Sequence, residues 1–111
     1  MKKINIALIG HKFMGKAHTH AYTDIPIFFD PGLKIVKKIL CADEESVKDY
    51  AMRWGWEKAS LDWHEVIEDK EIDLVDIAAP SAIHADIAIA AAKAGKHVFC
   101  EKPLALTLEA A

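Results

Sequence analysis

Five short apolar runs alternate with stretches of helical spacing along this chain, and that alternation restricts its fold more than any other feature. "INIALIG" (4–10) is a continuous apolar run, as expected of a strand covered on both faces, and "MGKAHTHAYTDI" (14–25) after it can carry a helix. The turn signal Asp30-Pro31-Gly32 precedes a second strand, "LKIVKKILCA" (33–42), although Lys37 and Lys38 interrupt it and a helix starting as early as Leu33 is an alternative. "DEESVKDYAMRWG" (43–55) has helical spacing at Val47, Tyr50, Ala51 and Trp54, with Gly55 placed to end it. A short strand is expected near "WEKA" (56–59), then a helix "WHEVIED" (63–69) with Asp62 and Glu65 as a capping box.

"IDLVDIAAP" (72–80) reads as the next buried strand. The clearest helix is "SAIHADIAIAAAKAG" (81–95), capped by Ser81 and ended by Gly95. "KHVFCEKP" (96–103) supplies another strand, and "LTLEAA" (106–111) opens a helix. Strands separated by helices in this way form a parallel sheet covered on both faces by right-handed crossovers, the doubly wound α/β class. Ligands of such sheets bind beyond the carboxyl ends of the strands, where the strand order reverses. The segments reaching that edge are residues 10–15, Asp43 and Glu44, residues 79–84 and residues 101–103.

A length of 111 residues fits one domain, with room for a core that buries roughly two-thirds of the unfolded surface. No apolar run approaches the ~20 residues of a membrane span. "MKKINIALIG" imitates a signal peptide only loosely, because its apolar run stops at Gly10, so the expected location is cytoplasmic. The net charge of -3, with acids and bases interspersed, shows no footprint for nucleic acid and favours small-molecule or protein partners. Cys41 and Cys100 each end an apolar run and read as buried small hydrophobes; two cysteines point neither to a disulfide framework nor to a metal site.

Gly10 and Gly15 bracket a turn between the first strand and the first helix. That spacing lets the chain turn sharply and leaves the amides of Lys12, Phe13 and Met14 facing outward, where a helix N-terminus attracts a pyrophosphate. Lys12 stands where G-x-G-x-x-G has its second glycine; its side chain could crowd a phosphate, or its cation reach toward one. From this loop alone a cofactor site and a structural turn are equally supported. Asp43, at the end of the second strand, could accept hydrogen bonds from ribose hydroxyls or cap the following helix. Two acids there with no neighbouring arginine would repel a 2'-phosphate, which favours NAD over NADP.

Glu101-Lys102-Pro103 follows a strand and ends at the ligand edge. A lysine there, with its pKa lowered by burial, could orient a substrate hydroxyl and share in proton transfer, although a solvated charged turn explains the same residues. His84 could lie near a cofactor or serve packing. His18 and His20, two apart, make a poor metal pair, and His11, His64 and His97 read as surface or packing residues. Trp54, Trp56 and Trp63 read as core and helix-packing residues.

Taken together, the loop "IALIGHKFMGKAH", the segment "AAPSAIHADIAIAAAKAGKHVFCEKPLA" and their order resemble the N-terminal half of the glucose-fructose oxidoreductase / inositol dehydrogenase / MocA family. The resemblance covers nearly the whole chain, and "AGKHVFCEKPLA" is its most specific part. It implies a Rossmann domain for NAD, with NADP possible. The implied cofactor contacts are Gly10, Lys12, Phe13, Met14, Gly15, Asp43, Ala79, Pro80, His84, Glu101 and Lys102, and Lys102 is the implied catalytic residue, beside nicotinamide and substrate.

Two departures stand out: Lys12 replaces a glycine, and the usual Thr-Pro-Asn appears as Ala79-Pro80-Ser81. The family carries a second α/β domain with most of the substrate pocket and the main oligomer interface. Residues 1–111 are therefore expected to be a cofactor domain truncated after the E-K-P motif, with exposed apolar surface and little turnover alone. The full-length enzyme would be a homo-oligomer acting on a sugar, polyol or cyclitol hydroxyl. The alternative is a non-catalytic module that senses a nucleotide or binds a protein.

Overall fold

The computed structural model describes residues 2–111. Its centre is a parallel sheet in the order β3-β2-β1-β4-β5, built from β1 (Lys3–Ile9), β2 (Lys34–Cys41), β3 (Lys58–Ser60), β4 (Leu74–Ile77) and β5 (His97–Cys100). Four helices connect the strands: α1 (Phe13–Phe28), α2 (Val47–Trp54), α3 (Trp63–Glu68) and α4 (His84–Lys93). The chain winds outward from β1 through β2 to β3, then returns to the other side of β1 to form β4 and β5. The switch point lies between the carboxyl ends of β1 and β4, as expected of a doubly wound sheet.

Side chains alternate across the strands and divide the core in two. Ile6, Leu8 and Leu40 pack with Val47, Ala51 and Trp56 against α2, with Tyr22 of α1 at the margin. Ala7, Ile9, Val75 and Ile77 face the other way, onto Val66 of α3 and Ile87 and Ala91 of α4. Both faces of β1 and β4 are thus covered, which explains their near-continuous apolar character. The three tryptophans pack within these two clusters, as expected.

The two lysines that interrupt the second strand do not break it. The β1–β2 register slips by one residue between Ile6 and Ala7, so Lys38 is the extra residue of a bulge. Lys37 Nζ donates to Thr23 Oγ1 and to the Trp54 carbonyl, both at 2.8 Å, and Lys38 pairs with Glu57 (3.2 Å) and Glu71 (3.4 Å). Charge inside the strand is tolerated because each ammonium leaves the sheet toward an acceptor.

Several boundaries differ from the sequence reading. The third strand is Lys58–Ser60, two residues later than "WEKA". Asp62 caps α3 through the His64 amide (3.0 Å), but Glu65 does not return the bond; its carboxylate accepts from the Ser60 hydroxyl at 3.1 Å, so the capping box is half formed. Ser81 does not cap the long helix, because Ser81–Ile83 forms a separate 3-10 turn before α4. The helix expected at 106–111 is absent: Leu104, Leu106 and Leu108 are exposed and have no surface to pack on, which a short helix needs. Finally, β5 is not buried, since it is an edge strand paired only with β4, and Val98 and Phe99 are exposed. No helix among the described residues is long and apolar enough to cross a membrane.

Candidate functional site

The loop between β1 and α1 lies at the switch point, and its two glycines are required by close backbone approach. Gly10 has φ 120°, and a Cβ there would overlap the Ala78 carbonyl oxygen and sit 2.5 Å from its carbon and 2.9 Å from the Ala79 nitrogen. A Cβ on Gly15 would run into the Gly10 carbonyl, so the start of α1 rests directly on the end of β1. The Gly10 amide donates to the Cys41 carbonyl at 2.7 Å, which ties the loop to β2. Gly10→Ala is expected to destabilise the fold by about 3 kcal/mol from strain and overlap, a fall in melting temperature of about 10 °C by circular dichroism. A loss under about 1 kcal/mol would mean that the loop relaxes freely.

No side chain caps the N-terminus of α1. The amides of Phe13, Met14 and Gly15 therefore leave the helix end without intrahelical partners, at the positive end of a sixteen-residue helix. Lys12 does not fill this space: its Nζ pairs with Glu44 Oε2 at 3.1 Å, and the ammonium holds the Glu44 carboxyl below its usual range. A helix start packed this closely on the strand end, with its first amides unpaired, fits a dinucleotide pyrophosphate.

At the end of β2 the two acids have different surroundings. Glu44 is engaged by Lys12 and lies 3.5 Å from His11 Nε2, whereas Asp43 is exposed two residues past the strand. Asp43 does not cap α2, which begins four residues later at Val47. The surroundings are less acidic than the sequence suggested, because Arg53 shares a cleft of about 530 Å³ with Lys12, Lys16 and Ser46 beside the loop. Of the surface and packing alternatives, His11 takes the second: it is buried, with Nε2 3.1 Å from Ser46 Oγ.

Across the switch point, the buried ring of His84 spans two turns. Its Nε2 lies 2.6 Å from the Ala79 carbonyl and its Nδ1 2.7 Å from the Pro103 carbonyl, so the Ala-Pro turn and the E-K-P turn are held together. The expected burial of Lys102 is not provided by these residues, since its side chain is exposed. Phe13 is also exposed, and Pro80 lies at the surface beside the half-buried Ala79.

One cluster escaped the sequence reading. His18 of α1 places Nδ1 2.8 Å from Asp76 Oδ2 and Nε2 3.0 Å from Glu101 Oε1, while Tyr22 donates its hydroxyl to Asp76 Oδ2 at 2.6 Å. Asp76 is 0% exposed, and burial lifts its carboxyl above the ordinary range despite the opposing hydrogen bonds from Tyr22 and His18. Burial also works against a charged His18, yet the two carboxylates outweigh it and its pKa is raised. The available signal was Asp76 itself, an acid inside an otherwise apolar strand, which requires a buried partner. His20 points elsewhere and pairs with Asp24, so the two histidines diverge as expected. Cys41 is buried with its thiol pushed up to about 12, an inert hydrophobe, while Cys100 is half-buried at the sheet edge.

A doubly wound sheet with a glycine-bounded, uncapped helix start at its switch point defines the dinucleotide-binding class of α/β domain. The chain belongs to the oxidoreductase family with the NAD-binding Rossmann fold, whose model matches residues 4–111. It is 50% identical over 111 residues to levoglucosan dehydrogenase of Pseudarthrobacter phenanthrenivorans, covering 98% of this chain and 28% of that protein. It is 46% identical over 65 residues to myo-inositol 2-dehydrogenase of Thermotoga maritima, covering 59% of this chain and 20% of that one. Among solved structures, levoglucosan dehydrogenase in complex with NADH and L-sorbose superposes with a TM-score of 0.93 at 47% identity, over 99% of this chain and 30% of the other. The chain spans less than a third of the length of these relatives.

Proposed function

We propose that this chain is the cofactor domain of an NAD(H)-dependent dehydrogenase acting on a sugar, polyol or cyclitol hydroxyl. The observation that carries the reading is the cradle at Gly10 and Gly15, where missing Cβ atoms bring the free amides of α1 to the crevice at the switch point. Those amides would hold the pyrophosphate, with Ala79 and Pro80 forming the facing wall and Asp43 accepting from the adenosine ribose. His84 would hold the E-K-P turn, and Lys102 would orient the substrate hydroxyl and exchange its proton. The nicotinamide, when bound, supplies the hydride acceptor. The substrate class is supported by the relatives, which include levoglucosan, inositol and D-apiose dehydrogenases. Most of a substrate pocket would come from the further length those relatives carry, so the 111-residue chain alone is expected to bind cofactor with little turnover.

The test is a titration of the folded chain with NADH and NADPH, followed by tryptophan fluorescence. Saturable binding favouring NADH is expected, and Asp43→Ala should weaken NADH about tenfold while changing NADPH less, since a charge-assisted hydrogen bond contributes about 1.5 kcal/mol or more. A folded chain that binds neither dinucleotide overturns the reading and leaves a protein-interaction module in its place. Equal weakening of both would remove Asp43 as the selector.

A further inference from the structure

His18 is the only ring among the described residues that joins three elements through carboxylates: its own helix α1, Asp76 on β4 and Glu101 at the end of β5. Ionised carboxylates only accept, and both ring nitrogens face one, so a ring carrying two protons satisfies every partner at once. The ring is nearly covered, with 13% of its side chain exposed, and it stacks on Phe99 with 5.9 Å between centroids. His18 lies one turn below the loop amides on α1, and Glu101 immediately precedes Lys102.

We propose that His18 is a positioning residue of the cofactor site, clamped as an imidazolium between Asp76 and Glu101 so that the helix bearing the loop amides and the turn bearing Lys102 keep one fixed separation. This rests on the cofactor reading above. When His18 loses a proton, one nitrogen becomes an acceptor facing a carboxylate, the contact fails, and the more exposed Glu101 is the partner that leaves. Its departure removes one of the ties on the Lys102 turn and leaves the His84 contact to the Pro103 carbonyl as a remaining side-chain tether. The other titratable groups facing the ring are Tyr22, bound to Asp76, and the Cys100 thiol, which lies in the field of both carboxylates. Both titrate well above the imidazole and keep their protons through its transition. Burial works against the charged ring, but Asp76 and Glu101 outweigh it and raise the His18 pKa, which favours the closed clamp.

The experiment measures NADH affinity of the full chain by fluorescence from about pH 6 to about pH 9, the range in which a shifted imidazole titrates. Wild type is expected to lose about tenfold in affinity as His18 deprotonates, and His18→Gln to bind about tenfold more weakly at low pH with no step. Glu101→Gln keeps the Asp76 contact but removes one charge, and should move the step to lower pH. A folded His18→Gln chain that matches wild type at every pH overturns the proposal, as does a step left unmoved by Glu101→Gln. If wild type binds no NADH at any pH, the cofactor reading falls and the positioning role falls with it. Proton NMR separates the two failures: a His18 ring that titrates together with the Glu101 and Lys102 amides leaves the clamp intact as a structural device, whereas independent titration removes the clamp itself.

Discussion

Lys102→Ala is expected to lower turnover by about 10²–10⁴-fold, the range for removing a general acid or base, in a protein that carries this domain together with the remaining length of its relatives. The same change should leave folding nearly untouched. Lys102 is exposed and makes no side-chain hydrogen bond or ion pair among the described residues, so its removal should shift stability by no more than about 0.5 kcal/mol. The turn that carries it is held by main-chain atoms, through the Pro103 carbonyl and His84, and these survive the substitution. Loss of turnover with an unchanged melting temperature and unchanged NADH affinity is therefore the expected pattern. Turnover that persists would remove Lys102 from the proton transfer.

Asp76→Ala should have the opposite pattern, with a large loss of stability. It strips the half-buried Tyr22 hydroxyl and the His18 ring of their shared acceptor, and removing one partner of a buried charged pair costs about 3–5 kcal/mol. Asp76→Asn keeps an acceptor for Tyr22 and should cost less. The gap between wild type and Asp76→Ala should also depend on pH. His18 has a folded pKa above its unfolded value of about 6.5, so its stabilising contribution is complete below that pH and is lost as pH rises through the folded value. The raised folded pKa of Asp76 acts with the same sign, its contribution being complete below about 3.8 and lost as pH rises. Urea unfolding should thus show a wider gap at about pH 6 than at about pH 9. A gap that is constant across that range would show that Asp76 does not raise the folded pKa of His18.

Much of the sheet was legible because fully covered strands must be apolar runs and the crossovers must be helices. The runs at 4–10 and 72–80 and the stops at Gly55 and Gly95 follow from those rules, and both glycines adopt the left-handed conformation that ends a helix. Local signals failed where tertiary partners decided the outcome. Ser60 captured the Glu65 carboxylate that a capping box would have used, and lysines that looked like strand breakers found acceptors on neighbouring elements. The loop, Asp43 and the E-K-P turn could be singled out from sequence because each follows the end of a strand, and the structure places each at that edge of the sheet. The His18–Asp76–Glu101 cluster was not, because its members are 58 and 83 positions apart and helical spacing says nothing about what a side chain meets across a sheet.

The contact of Gly15 against the Gly10 carbonyl has a further consequence for how such a site works. With the first turn of α1 seated on Gly10, the residue that follows β1, the loop cannot widen unless the whole helix moves as a rigid body, against the core packing on one side and the His18 contacts on the other. Its amides are preorganised. A ligand arriving at that helix end meets donors already aligned and loses little conformational entropy in ordering them, so its affinity should reflect the contacts it makes rather than the cost of shaping the loop.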